Sequence, residues 1–299
     1  MSREAKKTVL MTHCVDLHIH STASDGSYSP AELVDMAKQA GVCHMAITDH
    51  DSVAGVRSAY ERGRDIGVEV LYGIELTSAY EGMLIDILGY LLDIDAPWFV
   101  SFLDEVYQKR MERAEMMVSR LIQAGYQLSW DQVLDISQDG FVCGVHILHA
   151  LYNNGFLNDF QEVWGRLGEF FGRDGPGYVP SNIEFCSAGE VIRMIHDLGG
   201  VAILAHPGRY QRQVNIRDLV YKYRLDGLEA FYSTYTEEQT SYYQQLASGL
   251  SIVMTGGSDF HGLYSKGDYR IGSVAMPEDT ALQLSRFWIK RSKSKNFAP

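Results

Sequence analysis

Paired cysteines, long apolar segments and excess positive charge are all missing from this sequence of 299 residues. The four cysteines lack any Cys-x-x-Cys spacing, which argues against a disulfide framework and a thiolate zinc site. No apolar run approaches the length of a membrane helix, and the charged start lacks the apolar core of a signal peptide. We therefore expect a soluble cytoplasmic protein without a membrane partner.

The charge balance excludes a further class of partner. The formal net charge is −12 and the isoelectric point is about 5.3, and a field of that sign repels long polyanions. We expect no groove for duplex DNA, and the sequence shows no evident protein partner. The one dense basic run, "IKRSKSK" at 289–295, is predicted to be a solvated tail.

Strand and helix signals alternate in the first and last parts of the chain. The predicted strands, in chain order, are 15–20, 42–48, 68–76, 83–92, 201–205, 227–232 and 251–255. Seven strands with helices between them predict an α/β barrel. The link 77–82 is short for a parallel crossover, so the strands on either side are predicted to be antiparallel or loosely joined, which makes the barrel irregular.

Residues 97–172 contain no clear strand. They carry one long helical pattern that ends at Gly125 and shorter ones around 129–136, 145–154 and 158–171. The Gly/Pro-rich stretch 172–181 is predicted to be a connector. We expect the first part of the barrel at 1–95, a helical insertion serving as a lid or substrate domain at 96–180, and the second part of the barrel at 181–299. Helix boundaries are predicted by the capping boxes Ser29/Glu32, Ser187/Glu190 and Thr236/Gln239, and by stops at Gly41, Gly125 and Gly249.

Histidines and carboxylates follow the predicted strands, at the ends that share one face of a barrel. They are His18, His20, Asp25, His50, Glu75, His206, Asp259 and His261. Imidazole and carboxylate without thiolate suit Zn²⁺, Mn²⁺ or Fe²⁺, and eight ligands exceed what one ion needs. Two or three divalent ions with a bridging carboxylate are therefore predicted. A single histidine at a strand end is more often structural, and His13, His44, His146, His149 and His196 are left as structural or unassigned.

The stretches "DLHIHSTASDGSYSP", "AITDHDSVAG", "GIEL", "AHPGRY" and "GSDFH" resemble the motifs of the polymerase-and-histidinol-phosphatase (PHP) domain. The likeness is strongest to the stand-alone members that act on nucleotides or short RNA. It implies a distorted seven-stranded barrel and a trinuclear metal centre. One ion would take His18, His20, Glu75 and Asp259; a second would share Glu75 and take His206; a third would take Asp25, His50 and His261.

The sequence departs from the family pattern at two places. Asp86 stands where the family usually carries a histidine, and it is predicted to be a replacement ligand; the alternative is a structural aspartate bonded to backbone. Gly144 stands where relatives often carry an arginine, two residues before His146, which would remove one phosphate contact. Arg209 and Arg173 remain as candidate substrate-binding residues, with a surface ion pair as the alternative for each.

The resemblance predicts a metal-dependent phosphoesterase that hydrolyses the terminal phosphate of a nucleoside monophosphate, a 3′,5′-bisphosphate or short RNA. The eight motif ligands would hold the ions, Mn²⁺, Fe²⁺ or Zn²⁺ with Mg²⁺ as a further option, and with them the attacking water. The alternatives are a histidinol-phosphate-type phosphatase and a non-catalytic, metal-stabilised scaffold. The only expected partner is the small phosphorylated substrate.

The insertion is rich in aromatic residues: Trp98, Phe99, Phe102, Trp164, Phe170, Phe171 and Tyr178. Most are expected to build the insertion's own core. One or two near the connector are predicted to stack on a base.

Overall fold

The computed structural model describes residues 11–138, 141–160, 162–181, 183–210, 213–265 and 269–295. Its strands are β1 (Met11–Thr12), β2 (Val15–Ile19), β3 (His44–Ile47), β4 (Glu69–Tyr80), β5 (Met83–Tyr90), β6 (Val201–Leu204), β7 (Gly227–Tyr232), β8 (Val253–Gly257) and β9 (Met276–Pro277). Strands β2 to β8 form one seven-stranded sheet in chain order, and β1 pairs with β9 separately.

The seven-stranded sheet curls until its two edges meet. The Asp259 amide donates to the His18 carbonyl at 2.8 Å, and the His20 amide donates to the Phe260 carbonyl at 2.9 Å. These bonds beyond the end of β8 make the barrel nearly closed, as predicted. Strand β5 runs antiparallel to both neighbours, while the remaining pairs are parallel. The short link 81–82 therefore joins an antiparallel pair, one of the two arrangements that its length predicted.

The helices are α1 (Pro30–Gln39), α2 (Val56–Ile66), α3 (Pro97–Gln123), α4 (Trp130–Ser137), α5 (Gly144–Asn153), α6 (Glu162–Gly165), α7 (Leu167–Phe171), α8 (Ala188–Asp197), α9 (Ile216–Tyr223), α10 (Glu237–Leu250) and α11 (Thr280–Lys295). The three predicted capping boxes are present at the starts of α1, α8 and α10. Each satisfies two backbone N–H groups that a helix start leaves free.

Three local predictions were wrong. Helix α10 passes Gly249 and ends at Leu250, with Ser251 in the left-handed region (φ 56°) as its cap. One predicted helix over 158–171 is two short helices, α6 and α7. The basic run 289–295 forms the last turns of α11 rather than a tail.

The described residues form three apolar clusters, which is consistent with the proposed division into barrel and insertion. Two clusters join the barrel strands to the helices around them. The third is built from insertion residues such as Val118 and Leu148, with Tyr264 added from the barrel. Helix α3 contributes to the third cluster and also, through Phe99 and Leu103, to one of the two barrel clusters. Among the described residues, no helix combines the length and the apolar character that a bilayer crossing requires.

Candidate metal centre

The first two site residues lie at the end of strand β2, His18 within it and His20 directly after it. Val15, Leu17 and Ile19 alternate with His18 and His20, and all five are buried. Because alternate side chains on a strand share a face, the two imidazoles lie side by side, with their Nε2 atoms 3.1 Å apart. The strand therefore buries two polar rings next to each other, which is costly unless they find charged partners.

Glu75 on β4 lies at the middle of the site. Its Oε2 atom is 3.3 Å from the Nε2 atoms of both His18 and His20, and 3.3 Å from Nδ1 of His50. Its Oε1 atom is 3.0 Å from Nε2 of His206. One carboxylate thus reaches four imidazoles from three strand ends, which is the placement expected of a bridging ligand.

Two further carboxylates flank this arrangement. Asp259 Oδ1 lies 3.3 Å from His18 Nε2 and 3.2 Å from His20 Nε2. On the other side, Asp25 Oδ1 lies 3.5 Å from His20 Nδ1 and 3.4 Å from His261 Nε2. His50 Nε2 is 3.9 Å from Asp25 Oδ2. Each of these carboxylates therefore lies within 4 Å of at least two imidazoles.

The predicted ligands fall into four overlapping groups in which one donor atom from each member lies within 4.8 Å of the others. The groups are His18/His20/Asp259, His18/Glu75/His206, His50/Glu75/Asp86 and His20/Asp25/His50/His261. All nine residues that the sequence proposed as ligands are included. We call this set the rim cluster.

Asp86 reaches the rim cluster from β5, level with Thr77 on β4. Its Oδ2 atom is 3.9 Å from His206 Nε2, and its side chain is 21% exposed. The Tyr210 hydroxyl donates to the same oxygen at 3.4 Å and accepts from the Asp86 amide at 2.9 Å. Leu84, which shares this face of β5 with Asp86, is 51% exposed, so the start of the strand faces solvent.

Burial and opposite charge act against each other throughout the rim cluster. Burial would raise the pKa of Glu75, but the imidazoles of His50 and His18 hold it well below its usual range. Burial would lower the pKa of His20, but hydrogen bonds with Asp259 and Glu75 raise it to about 10. Glu75 and Asp259 therefore stay ionised, whereas burial raises the pKa of Asp86. The site requires positive charge between its ionised carboxylates, which either protons or metal ions supply.

The donor set fits metal ions. Four ring nitrogens of the rim cluster are buried without a hydrogen-bond partner among the described residues: His20 Nδ1, His50 Nδ1, His206 Nδ1 and His261 Nε2. Leaving a buried nitrogen unpaired costs free energy, and a ligated cation would remove that cost. The mixture of imidazole and carboxylate donors suits Zn²⁺, Mn²⁺ and Fe²⁺.

Sequence reasoning missed residues that hold the ligands in place. Glu229 on β7 contacts His18 Nδ1 through Oε1 and Oε2 at 3.0 and 3.1 Å, and it accepts the His206 amide at 2.7 Å. Such partners fix the orientation of a ligating imidazole. The Tyr232 hydroxyl donates to Asp259 Oδ2 at 2.5 Å. The available signal was a carboxylate within the otherwise apolar strand "GLEAFY".

Asp49 precedes the ligand His50 and has a different place. It accepts hydrogen bonds from the Ser21 amide at 2.7 Å and from the hydroxyls of Ser21 and Ser24 at 2.6 Å each. These bonds shape the turn that leads to Asp25. The other five histidines each contact a residue outside the rim cluster: Gly272 for His13, Glu69 for His44, Cys143 for His146, Tyr264 for His149 and Asp226 for His196.

A pocket opens beside the rim cluster, between the insertion and the barrel. Asp259 and His261 form its floor, and its walls include Trp164, Arg209 and Tyr269. The Arg209 side chain is 48% exposed, and one of its terminal nitrogens lies 3.6 Å from Asp259 Oδ2. The structure does not bring Arg173 to this pocket; its side chain is exposed in the connector.

Among the aromatic residues predicted in the insertion, Trp164 is the one that lines this pocket. Its ring centroid lies 5.5 Å from that of His261. Phe170 packs in the insertion cluster, as expected, whereas Phe99 packs in a barrel cluster instead of the insertion's own core. Trp98 is 48% exposed and is absent from the pocket walls.

Comparison with known proteins gives consistent results. The family model of the PHP domain matches residues 16–223. The chain is 31% identical over 255 residues to the phosphoribosyl 1,2-cyclic phosphate 1,2-diphosphodiesterase of Eggerthella lenta, covering 84% of this chain and 95% of that protein. It is 31% identical to the 5′-3′ exoribonuclease of Escherichia coli (82% and 84% covered) and 27% identical to the 3′,5′-nucleoside bisphosphate phosphatase of Chromobacterium violaceum (83% and 87% covered).

A solved structure shares the fold. A Bifidobacterium adolescentis protein, described as a metal-dependent phosphoesterase, superposes with a TM-score of 0.80 at 29% identity. The superposition covers 90% of this chain and 94% of the other.

Proposed function

Because this chain belongs to the PHP domain family, we propose that it is a metal-dependent phosphoesterase that removes a phosphate attached directly to a nucleoside. Its substrates would be nucleoside monophosphates, 3′,5′-bisphosphates or very short RNA. The observation that carries the proposal is the rim cluster, a set of nine side chains able to bind metal, two of which (Asp259 and His261) line an aromatic pocket.

We propose three ions, held as the sequence motifs imply, with Asp86 completing the site of Glu75 and His206. Divalent ions there would lower the pKa of a bound water and offset the negative charge of the phosphate. Glu229 would keep His18 oriented towards its ion. Arg209 would contact the phosphate; its half-exposed side chain lines the pocket, with one terminal nitrogen 3.6 Å from Asp259 Oδ2.

The position of Trp164 supports a nucleotide substrate. Since its ring lies 5.5 Å from that of the ligand His261, a base stacked on Trp164 would be separated from the rim cluster by little more than a sugar and one phosphate. That spacing favours a phosphate on the nucleoside itself over the last phosphate of a triphosphate. The relatives that act on RNA and on nucleoside bisphosphates are consistent with this preference.

A substrate panel with added Mn²⁺ tests the proposal. We expect kcat/KM for a nucleoside monophosphate, a 3′,5′-bisphosphate or a dinucleotide to exceed the values for a 20-residue RNA and for histidinol phosphate. Preference for the long RNA or for histidinol phosphate would contradict the substrate proposal. Metal-loaded protein that hydrolyses none of the panel would support the scaffold alternative instead.

Trp164→Ala tests the contact with the base. Stacking is worth about 1–3 kcal/mol per base, so kcat/KM for a nucleoside monophosphate should fall by about 5- to 150-fold. The value for ribose 5-phosphate, which has no base, should stay unchanged. Trp98→Ala is the control, since that ring lies outside the pocket. An equal loss on both substrates would show that Trp164 does not stack on the base.

A further inference from the structure

Arg110 connects the insertion to the barrel from the middle of helix α3. Its guanidinium forms an ion pair with Asp51, and its Nη2 atom lies 3.5 Å from the Thr77 hydroxyl. The Arg110 side chain is 22% exposed and that of Asp51 is 4% exposed. The guanidinium carbon also lies 5.7 and 5.9 Å from the ring centroids of Phe141 and Phe185. This is a largely buried ion pair rather than a surface contact.

Asp51 fastens the segment that carries His50 to the strand that carries Glu75. Its amide donates to the Glu75 carbonyl at 2.8 Å, and its Oδ1 atom accepts from the Thr77 amide at 3.1 Å. Asp51 has a positive φ of 47°, which costs a residue other than glycine free energy unless its surroundings hold it. The Asp51 side chain therefore helps to fix the backbone at two metal-binding positions.

The buried Asp51 carboxylate needs the positive charge of Arg110 to stay in its position. Asp25, Glu75 and Asp86 belong to the same acidic region, and a buried carboxylate without a cation is strongly destabilising. Burial opposes the charge on Arg110, but Asp51 outweighs it and raises the pKa of the guanidinium. Without Arg110, Asp51 would be expected to turn away and release the Thr77 amide.

We propose that Arg110 is a positioning residue of the metal centre, which holds His50 and Glu75 in place by neutralising Asp51. Arg110 is absent from the walls of the substrate pocket, so this role does not require contact with substrate. The inference rests on the proposed function for its effect on turnover, whereas its effect on metal binding is independent of the substrate.

Helix α3 supplies a matched control. Arg113 lies about one turn further along, and its Nε–H donates to the Val179 carbonyl at 3.2 Å. It is partly buried like Arg110, but its hydrogen bond joins the helix to the connector and not to the barrel. A general loss of helix packing would therefore affect both arginines, whereas a role at the metal centre belongs to Arg110 alone.

The experiment uses the full chain with Arg110→Met, Asp51→Asn, the double variant and Arg113→Met, after circular dichroism confirms that each is folded. Mn²⁺ affinity is measured by calorimetry without substrate, and kcat and KM are measured with a nucleoside monophosphate. We expect Arg110→Met to lower Mn²⁺ affinity and kcat by about 10- to 100-fold, as loss of residues that orient ligands does. KM should change by less than about twofold, because the lost interaction does not involve substrate binding.

The double variant makes the decisive comparison. Asparagine keeps the acceptor for the Thr77 amide but removes the unpaired charge, so adding Asp51→Asn to Arg110→Met should recover part of both losses. Recovery with a near-normal Arg113→Met supports the proposal. A double variant no better than Arg110→Met, a loss confined to KM, or an unchanged Mn²⁺ affinity would overturn it. Wild-type protein that binds Mn²⁺ but hydrolyses none of the substrates would contradict the proposed function. The Mn²⁺ affinities of the variants would still test whether Arg110 positions the metal centre.

Discussion

The barrel rim and the helical insertion both bury histidines, with opposite electrostatic results. At the rim, neighbouring carboxylates outweigh the effect of burial and raise the pKa of His18 and His20. In the insertion, burial dominates and lowers the pKa of His146 to about 4, and it lowers the pKa of His149 as well. Burial is thus common to both regions, and the density of carboxylates distinguishes them.

The difference shows how a metal site can be told from a structural histidine. The His146 Nδ1 atom accepts the Cys143 amide at 3.2 Å at the start of helix α5, which requires an unprotonated nitrogen. That ring has a complete local role and remains neutral. The rim imidazoles share the same carboxylates, and four of their buried ring nitrogens make no hydrogen bond with the described residues, a cost that a bound cation would remove.

Removing a rim ligand should have the largest effect. Either His18→Ala or Asp259→Ala should lower the turnover of a nucleoside monophosphate by at least about 10²–10³-fold. Each removes a proposed metal ligand, and with it part of the positive charge that would stabilise the reacting phosphate. The fold should survive, since the barrel's apolar core is separate from the site. Turnover is measured with saturating Mn²⁺, and circular dichroism checks the fold.

His44→Ala is the control for that experiment. His44 pairs with Glu69 at 3.0 Å and belongs to none of the metal-binding groups. Its turnover should equal that of wild type. Near-normal turnover of His18→Ala or Asp259→Ala after metal repletion would contradict the proposed centre.

The buried His146 of the insertion should make the folded protein less stable as the pH falls. The pKa of His146 is about 4 in the folded protein, below the ordinary value of about 6.5, so the unfolded chain binds more protons between these values. Stability should therefore be complete above about pH 6.5 and should fall by up to about 3 kcal/mol as the pH drops to about 4.

His146→Gln retains a hydrogen-bond acceptor for the helix start and removes the titration. Urea denaturation of this variant and of wild type from pH 7 to pH 4 measures the difference. The variant should lose less stability over that interval. Parallel pH profiles for the two proteins would show that His146 is not held neutral.

The smallest expected effect is that of Asp86→His on which metal the rim cluster binds. Carboxylate oxygen is a harder ligand than imidazole, so the wild-type site should favour Mn²⁺, Fe²⁺ or Mg²⁺ over Zn²⁺ relative to Asp86→His. A change of about tenfold in the bound Mn/Zn ratio is expected, the lower end of what altered ligand surroundings produce. Both proteins are dialysed against an equimolar metal mixture and analysed for metal content. Identical metal profiles and rates would show that Asp86 is not a ligand.

The strand ends and their ligands could be predicted because each motif is local. His18 and His20 could be recognised by the alternation of apolar and polar residues along β2 and the residue after it. The barrel brings the other strand ends to the same rim. The same locality explains the prediction of the capping boxes.

Contacts between distant segments could not be predicted. Glu229 contacts His18 across 211 positions of sequence, and Arg110 finds Asp51 only once α3 has packed against the barrel. Nothing in the neighbouring residues of either side chain indicates its partner. Gly249 failed as a stop for a different reason, since a left-handed Ser251 can end the helix as well.

Helix α3 has a mechanical consequence. Its 27 residues form a continuous rod of about 40 Å. Phe99 and Leu103 anchor one end in the barrel, Arg110 pins the rod to Asp51, and Met117 and Leu121 carry the insertion at the other end. Because the helix is held both at its Phe99 end and at Arg110, it cannot rotate about its Phe99 end. The insertion is therefore attached rigidly beside the pocket, and substrate should enter the pocket without a large movement of the insertion.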